Sequence, residues 1–330
     1  MSADLLIRDT LNPFDQWLEP THGAATRRLY RQILGRFVTW LQATHPDSPP
    51  TVANLSSRDG ARYREWLRAQ QPPKKPATIN TALAALDTWG GWAVRAELRT
   101  DNPFATLGRV RDVDTERAPK ALSPTQQDAL LKAAGRGRHA ARATIIISLL
   151  LHTGLRVAEL CALTWGDLVV EERSGQLRVR AGKGGVARSV PLNVEVRRDL
   201  WHWAVAQTTL ANDEAPDVRL RWTATHAQLL MAWIGQESTR PVIGSQKGGP
   251  LRPRAVQTVI TTVAYHAKIT EPLVTPHVLR HTYATQLVNN GAPLTVVATL
   301  LGHQRLSTTA IYTRPSSQEL ARWTDTLALD

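Results

Sequence analysis

At 330 residues, 42% of them hydrophobic, the chain is long enough for two domains that each bury a core. Its 40 Lys and Arg against 28 Asp and Glu leave a formal charge of +12, the electrostatic footprint of a polyanion binder, although a generally basic protein would carry the same excess. The single cysteine, Cys161, excludes an internal disulfide, no apolar run reaches the roughly eighteen residues of a membrane span, and the N-terminus lacks the basic and apolar regions of a signal peptide, so a soluble, cytoplasmic protein is expected.

In chain order, the first elements read as helices. From Thr26 to Ala43, Leu29, Tyr30, Ile33, Leu34, Phe37, Val38 and Leu41 recur at spacings of three and four, which predicts one buried helical face. Helices over Ser57 to Gln70 and Thr78 to Glu97 follow, with Arg58, Arg62, Arg64, Arg68, Lys74 and Lys75 clustered on and between them. Such a cluster is either a solvated face or a surface for a nucleic-acid backbone, and Arg58, Arg62, Lys74 and Lys75 are the candidate DNA contacts. The charged stretch Arg109 to Ala121, broken by Pro119, marks a linker at 111–121 between a domain over 1–110 and a second over 122–330.

Order restarts at Ser123, a helix N-cap, followed by Pro124 at the first helical position. A hydrophobic helix from Ala143 to His152 runs into the Thr153-Gly154 turn, which delivers Arg156 to the head of another helix held by Leu155, Leu160 and Leu163. Cys161 reads as a packed core thiol, and Glu159 either orients a cation or lies on the surface. Alternation from Gln176 to Leu192 around Gly182, Gly184 and Gly185 predicts a β-hairpin with Lys183 near its tip, and Arg180 and Arg188 on its flanks are candidate phosphate contacts. A phosphate-binding P-loop is excluded there, because the preceding glycine at the required distance and the following Ser or Thr are missing.

The stretch from Leu210 to Gly244, with Trp222, Trp233 and a short helix over Ala227 to Ile234, reads as a surface excursion, or else a contact to DNA or a neighbouring subunit. Arg252 and Arg254 head a helix through His266 and are candidate groove or phosphate contacts. His277 and His281 stand four apart, but no glutamate of a zinc-protease motif lies between them and Arg280 would repel a dication, so no metal is expected. His303 follows Gly302 at a helix end, Tyr312 lies beside Ala310 and Ile311, and Ser316 or Ser317 caps a last helix carrying Leu320, Trp323 and Leu327.

Arg156, Lys183, His277, Arg280, His303 and Tyr312 form a set of cations and imidazoles ending in one phenol, which suits a phosphodiester. Two guanidiniums hold phosphate oxygens by rigid forks at any working pH. A lysine on a turn can protonate a departing oxygen, and the histidines can accept the phenolic proton or brace an oxygen. A tyrosine can serve as a nucleophile that splits one displacement into two.

The stretches that carry these residues, Thr153 to Leu163, Gly182 to Leu192, Thr275 to Thr285 and Leu300 to Thr313, resemble the tyrosine recombinase family, the phage-integrase and Xer-type site-specific DNA recombinases. The intervals of three, twenty-three and nine residues from His277 through Arg280 and His303 to Tyr312 also look like those of Xer-type members. The resemblance implies a mainly α fold with a small antiparallel β-sheet: a helical, SAM-like core-binding domain and a mixed α/β catalytic domain that clamp the duplex, with a C-terminal helix exchanged between subunits. It further implies cleavage of double-stranded DNA at paired sites through a 3′-phosphotyrosyl bond, strand exchange through a Holliday junction, no ATP, cofactor or metal, and a homo-tetramer on synapsed DNA. A second recombinase or accessory protein stays open. So do a topoisomerase IB-like relaxing activity and a catalytically silent DNA-binding role. The interval between Lys183 and His277 is longer than in compact Xer-type members, which leaves the 210–244 segment without a family role.

Overall fold

The chain divides into two units, Met1–Glu116 and Arg117–Asp330. The structure is a computed structural model that describes residues 5–110, 121–137, 139–180, 187–208, 221–245 and 248–302.

In the first unit a 3-10 turn, Ile7–Thr10, leads into α1 (Leu11–Leu18), α2 (Ala24–Thr44), α3 (Ser57–Arg68) and α4 (Pro76–Arg95). Phe14, Leu34, Phe37, Leu41, Tyr63, Leu86, Trp89 and Phe104 fill one core between them. The indole of Trp89 reaches the hydroxyl of Thr10 at 3.0 Å, which satisfies a buried polar atom across that core. Helix α3 starts where Asp59 accepts the backbone N–H and the hydroxyl of Ser56, at 2.9 and 2.7 Å. Leu29 departs from the expected buried face and is exposed, and Tyr30 and Val38 are only partly buried against the core. Arg58, Arg62, Lys74 and Lys75 are all exposed.

The second unit is built around α6 (Ala140–Thr153), whose residues from Ile145 to Leu151 are all at most 1% exposed. A helix covered on every side reads as a continuous apolar run, which is why this one shows no polar face. Around it pack α5 (Pro124–Ala134), α8 (Val194–Thr208), α10 (Pro253–His266) and α11 (Pro276–Asn289). Helix α7 (Val157–Ala162), α9 (Ala224–Gln236) and α12 (Leu294–Leu301) complete the helices described. Helix α5 begins as the sequence predicts: Ser123 Oγ accepts from the Gln126 N–H at 3.2 Å and the Gln126 side chain accepts from the Ser123 N–H at 2.9 Å.

One three-stranded antiparallel meander joins the helices, β1 (Leu168–Val170), β2 (Gly175–Val179) and β3 (Arg188–Pro191). The chain is therefore mostly helical with a small antiparallel sheet, and β1 adds a strand to the expected hairpin. Register pairs Leu177 with Leu168 on one side and Val190 on the other, and Val179 with Arg188, so these residues share the inward face. The described part of the Leu210 to Gly244 stretch is no surface excursion: Ala227, Leu230, Ile234, Val242 and Ile243 are buried, and Trp233 stands edge-on to the buried Trp165 with centroids 4.2 Å apart. Among the described residues no helix is long and apolar enough to cross a membrane.

Candidate active site

Two turns with left-handed glycines frame the site. Helix α6 ends at Gly154, with φ at 61°, and α12 ends at Gly302, with φ at 64°. Any side chain is strained at such φ values. A Cβ on Gly154 would also stand 2.4 Å from the Tyr283 ring, and one on Gly302 would stand 2.9 Å from Arg188 Nη1. The glycines of Thr-Gly-Leu-Arg and Leu-Leu-Gly-His are thus required by backbone direction and by close packing.

Arg280 lies one turn beyond the start of α11 and is 4% exposed. Its Nη1 donates to the Gly154 carbonyl at 2.5 Å and its Nη2 to the Leu301 carbonyl at 2.6 Å. The guanidinium therefore ties the end of α6 to the end of α12, where helix carbonyls lack intrahelical partners and favour a cation. Arg156 is the N-cap of α7, with 43% of its side chain exposed.

Glu159 is the point on which the cations converge. It accepts from the Arg156 backbone N–H at 2.8 Å and from Arg156 Nη1 at 2.9 Å, and Arg280 Nη1 stands 3.9 Å from it. Arg188 engages both carboxylate oxygens, Nη1 at 3.0 Å and Nη2 at 2.8 Å, while its Nε donates to the Leu300 carbonyl at 2.7 Å. Burial pushes the Glu159 carboxyl up, but hydrogen bonds from Arg188 and Arg156 together with the Arg188 charge outweigh it and hold the pKa at about 2. Of the two readings open for Glu159, the structure supports the orienting one.

Arg188 corrects the expectation of a phosphate contact on the hairpin flank. Its side chain is 4% exposed and committed to Glu159 and Leu300, because β3 turns it inward opposite Val179, on the same face as Val190. Alternation with Val190 and Leu192 is the sequence signal for this, and the positive charge hid it. Arg180, on the opposite face, is exposed but engages Asp167 at 2.7 Å and Thr164 at 2.8 Å. Arg252 is the N-cap of α10 and, like Arg254 and His277, is exposed. His281 is buried, one turn after the exposed His277, and Cys161 is buried with its thiol pKa raised by that burial. Lys183, His303 and Tyr312 lie outside the described residues, as do residues 111–120 of the expected 111–121 linker and the helix expected after Pro315.

The sequence profile of the phage integrase family matches residues 120–319, a stretch that contains all six motif positions from Arg156 to Tyr312. The chain belongs to this family, the tyrosine recombinases. Tyrosine recombinase XerD of Vibrio cholerae serotype O1 is 31% identical over 306 residues, covering 92% of this chain and 90% of that protein. Tyrosine recombinase XerC of a Mycobacterium species (strain JLS) is 31% identical over 329 residues, covering 93% and 94%. Among solved structures, the Tn1549 transposon integrase in complex with transposon right end DNA shares the fold with a TM-score of 0.69 at 18% identity, over 98% of this chain and 99% of that one. The XerH recombinase bound to its difH substrate gives 0.66 at 18% identity, over 97% and 84%.

Proposed function

We propose that this tyrosine recombinase carries out site-specific recombination of double-stranded DNA by successive phosphoryl transfers through Tyr312. The observation that carries the proposal is the pair Arg156 and Arg280, motif residues far apart in sequence that meet at one buried-side carboxylate, Glu159. A pair of fixed guanidiniums at the ends of packed helices is pre-organised to receive the non-bridging oxygens of a phosphodiester. The names of the relatives, recombinases and an integrase described with DNA, support the same substrate.

In the proposed reaction Arg156, Arg280 and His303 hold the scissile phosphate. The Tyr312 oxygen attacks phosphorus and its phenolic proton passes to His277. The bond to the 5′ oxygen breaks and Lys183 gives that oxygen its proton. A 3′-phosphotyrosyl bond and a free 5′-hydroxyl result, and the hydroxyl of a partner strand reverses the step, giving a Holliday junction. The phosphodiester energy is retained in the phosphotyrosine, so the chemistry uses no ATP, cofactor or divalent metal. The first unit, through Arg58, Arg62, Lys74 and Lys75, and the second, through Arg180, Arg252 and Arg254, would grip the duplex as the two halves of a clamp. The working assembly is a homo-tetramer on two synapsed sites, serving resolution, integration or excision, alone or with a second recombinase or accessory protein.

The test is a plasmid carrying two copies of a site selected from random duplexes by binding, incubated with the protein in EDTA without ATP. Deletion or inversion between the sites is expected. Relaxed topoisomers alone would instead indicate a topoisomerase IB-like enzyme, and unchanged plasmid on demonstrably bound DNA a silent binder.

A further inference from the structure

We propose that Arg188 is a positioning residue that occupies Glu159 so that Arg156 remains available to a phosphate. The inference rests on the reading of the site as one for phosphodiesters. Arg188 is the only cation in this group that meets Glu159 through two parallel hydrogen bonds, at 3.0 and 2.8 Å, and its third contact fixes it to the end of α12 at Leu300. Arg156 makes a single side-chain bond to the carboxylate, and Arg280 stands at 3.9 Å with its Nη1 and Nη2 turned to the Gly154 and Leu301 carbonyls.

The arrangement divides the charges. Glu159 is held ionised by a partner that the inward face of β3 shields from solvent, and the half-exposed Arg156 is left with donors free to turn outward. Without Arg188, the described cation left in hydrogen-bond contact with the same carboxylate is Arg156. Guanidinium forks match carboxylate and phosphate oxygens by the same geometry, so Glu159 would then compete with the substrate for Arg156. An apolar side chain at this inward strand position would leave the Glu159 carboxylate with one counter-ion fewer, a cost that only replacement of both members of the pair would avoid. A guanidinium here is explained by the carboxylate it neutralises.

Arg188→Met, Glu159→Gln and the double variant, each checked for folding by thermal melting, separate the two roles. Covalent adduct formation on nicked DNA is expected to fall about 100-fold in Arg188→Met, as for a small misplacement of reacting groups, and to recover at least about tenfold when Glu159→Gln is added. A double variant no better than Arg188→Met, or an Arg188→Met enzyme within about twofold of wild type, would overturn the proposal. Should Arg188→Met fail to fold, Arg188→Lys, which keeps the charge but not the fork, is compared with and without Glu159→Gln on the same criterion. If wild type forms no adduct, the reading of function fails by itself. Arg188 is then judged on the salt dependence of DNA binding: its loss should lower the slope by about one, with restoration in the double variant, and an unchanged slope would refute it.

Discussion

Glu159 makes the site sensitive to acid in a definite direction. Its pKa is depressed to about 2 from an ordinary 4.5, so the folded state holds its proton more weakly than the unfolded chain does. The resulting stability is fully present above about pH 4.5 and is lost as the pH falls through about 2, with a magnitude of up to about 3 kcal/mol. Melting temperature measured from pH 6 to pH 2 should fall less steeply in Glu159→Gln than in wild type, and equal slopes would contradict the arginine-held carboxylate. Gly154→Ala and Gly302→Ala should each cost about 1–3 kcal/mol in urea unfolding. The former should cost more, because its Cβ meets the Tyr283 ring at 2.4 Å, whereas Gly302 faces the end of a longer side chain. At this scale the residue types and intervals of the motifs were legible in the sequence, as was the choice of Gly154 as a turn. Arg188 was not, because charge suggests exposure while strand parity with Val190 turns it inward.

Whether an element is buried on one side or all round decided how well it could be read. Helix α6 declared itself by an apolar run interrupted only by Ser148, and α5 by the Ser123 cap and Pro124, both local signals. Strand β1 did not, since three residues carry too little pattern and its pairing with β2 is a tertiary fact. The stretch around α9 was misread for a related reason: the apolar run Leu229 to Ile234 marks a helix but is too short to say which core it joins, and only the fold shows Leu230 and Ile234 entering the main one. Leu230, fully buried, should therefore cost about 2–5 kcal/mol on replacement by Ala. A surface excursion would tolerate the change within about 0.5 kcal/mol in the same urea titration.

For the whole molecule, the excess of twelve positive charges predicts DNA binding that weakens steeply with salt. Arg62→Ala in the first unit, exposed and remote in sequence from the arginines around Glu159, should lower the slope of log affinity against log salt by about one and leave the strand-cleavage step of bound DNA unchanged. Length and the charged stretch around Pro119 carried the expectation of two domains, whereas the charge balance alone left a generally basic protein equally open. What ties charge to chemistry is the proposed nucleophile. Wild type and Tyr312→Phe should be incubated in EDTA with nicked duplexes carrying the selected site and separated on a denaturing gel. A protein–DNA adduct in wild type that maps to Tyr312 and vanishes in Tyr312→Phe is expected. An adduct that persists in the variant, or one that chelation abolishes, would contradict metal-independent cleavage by this tyrosine.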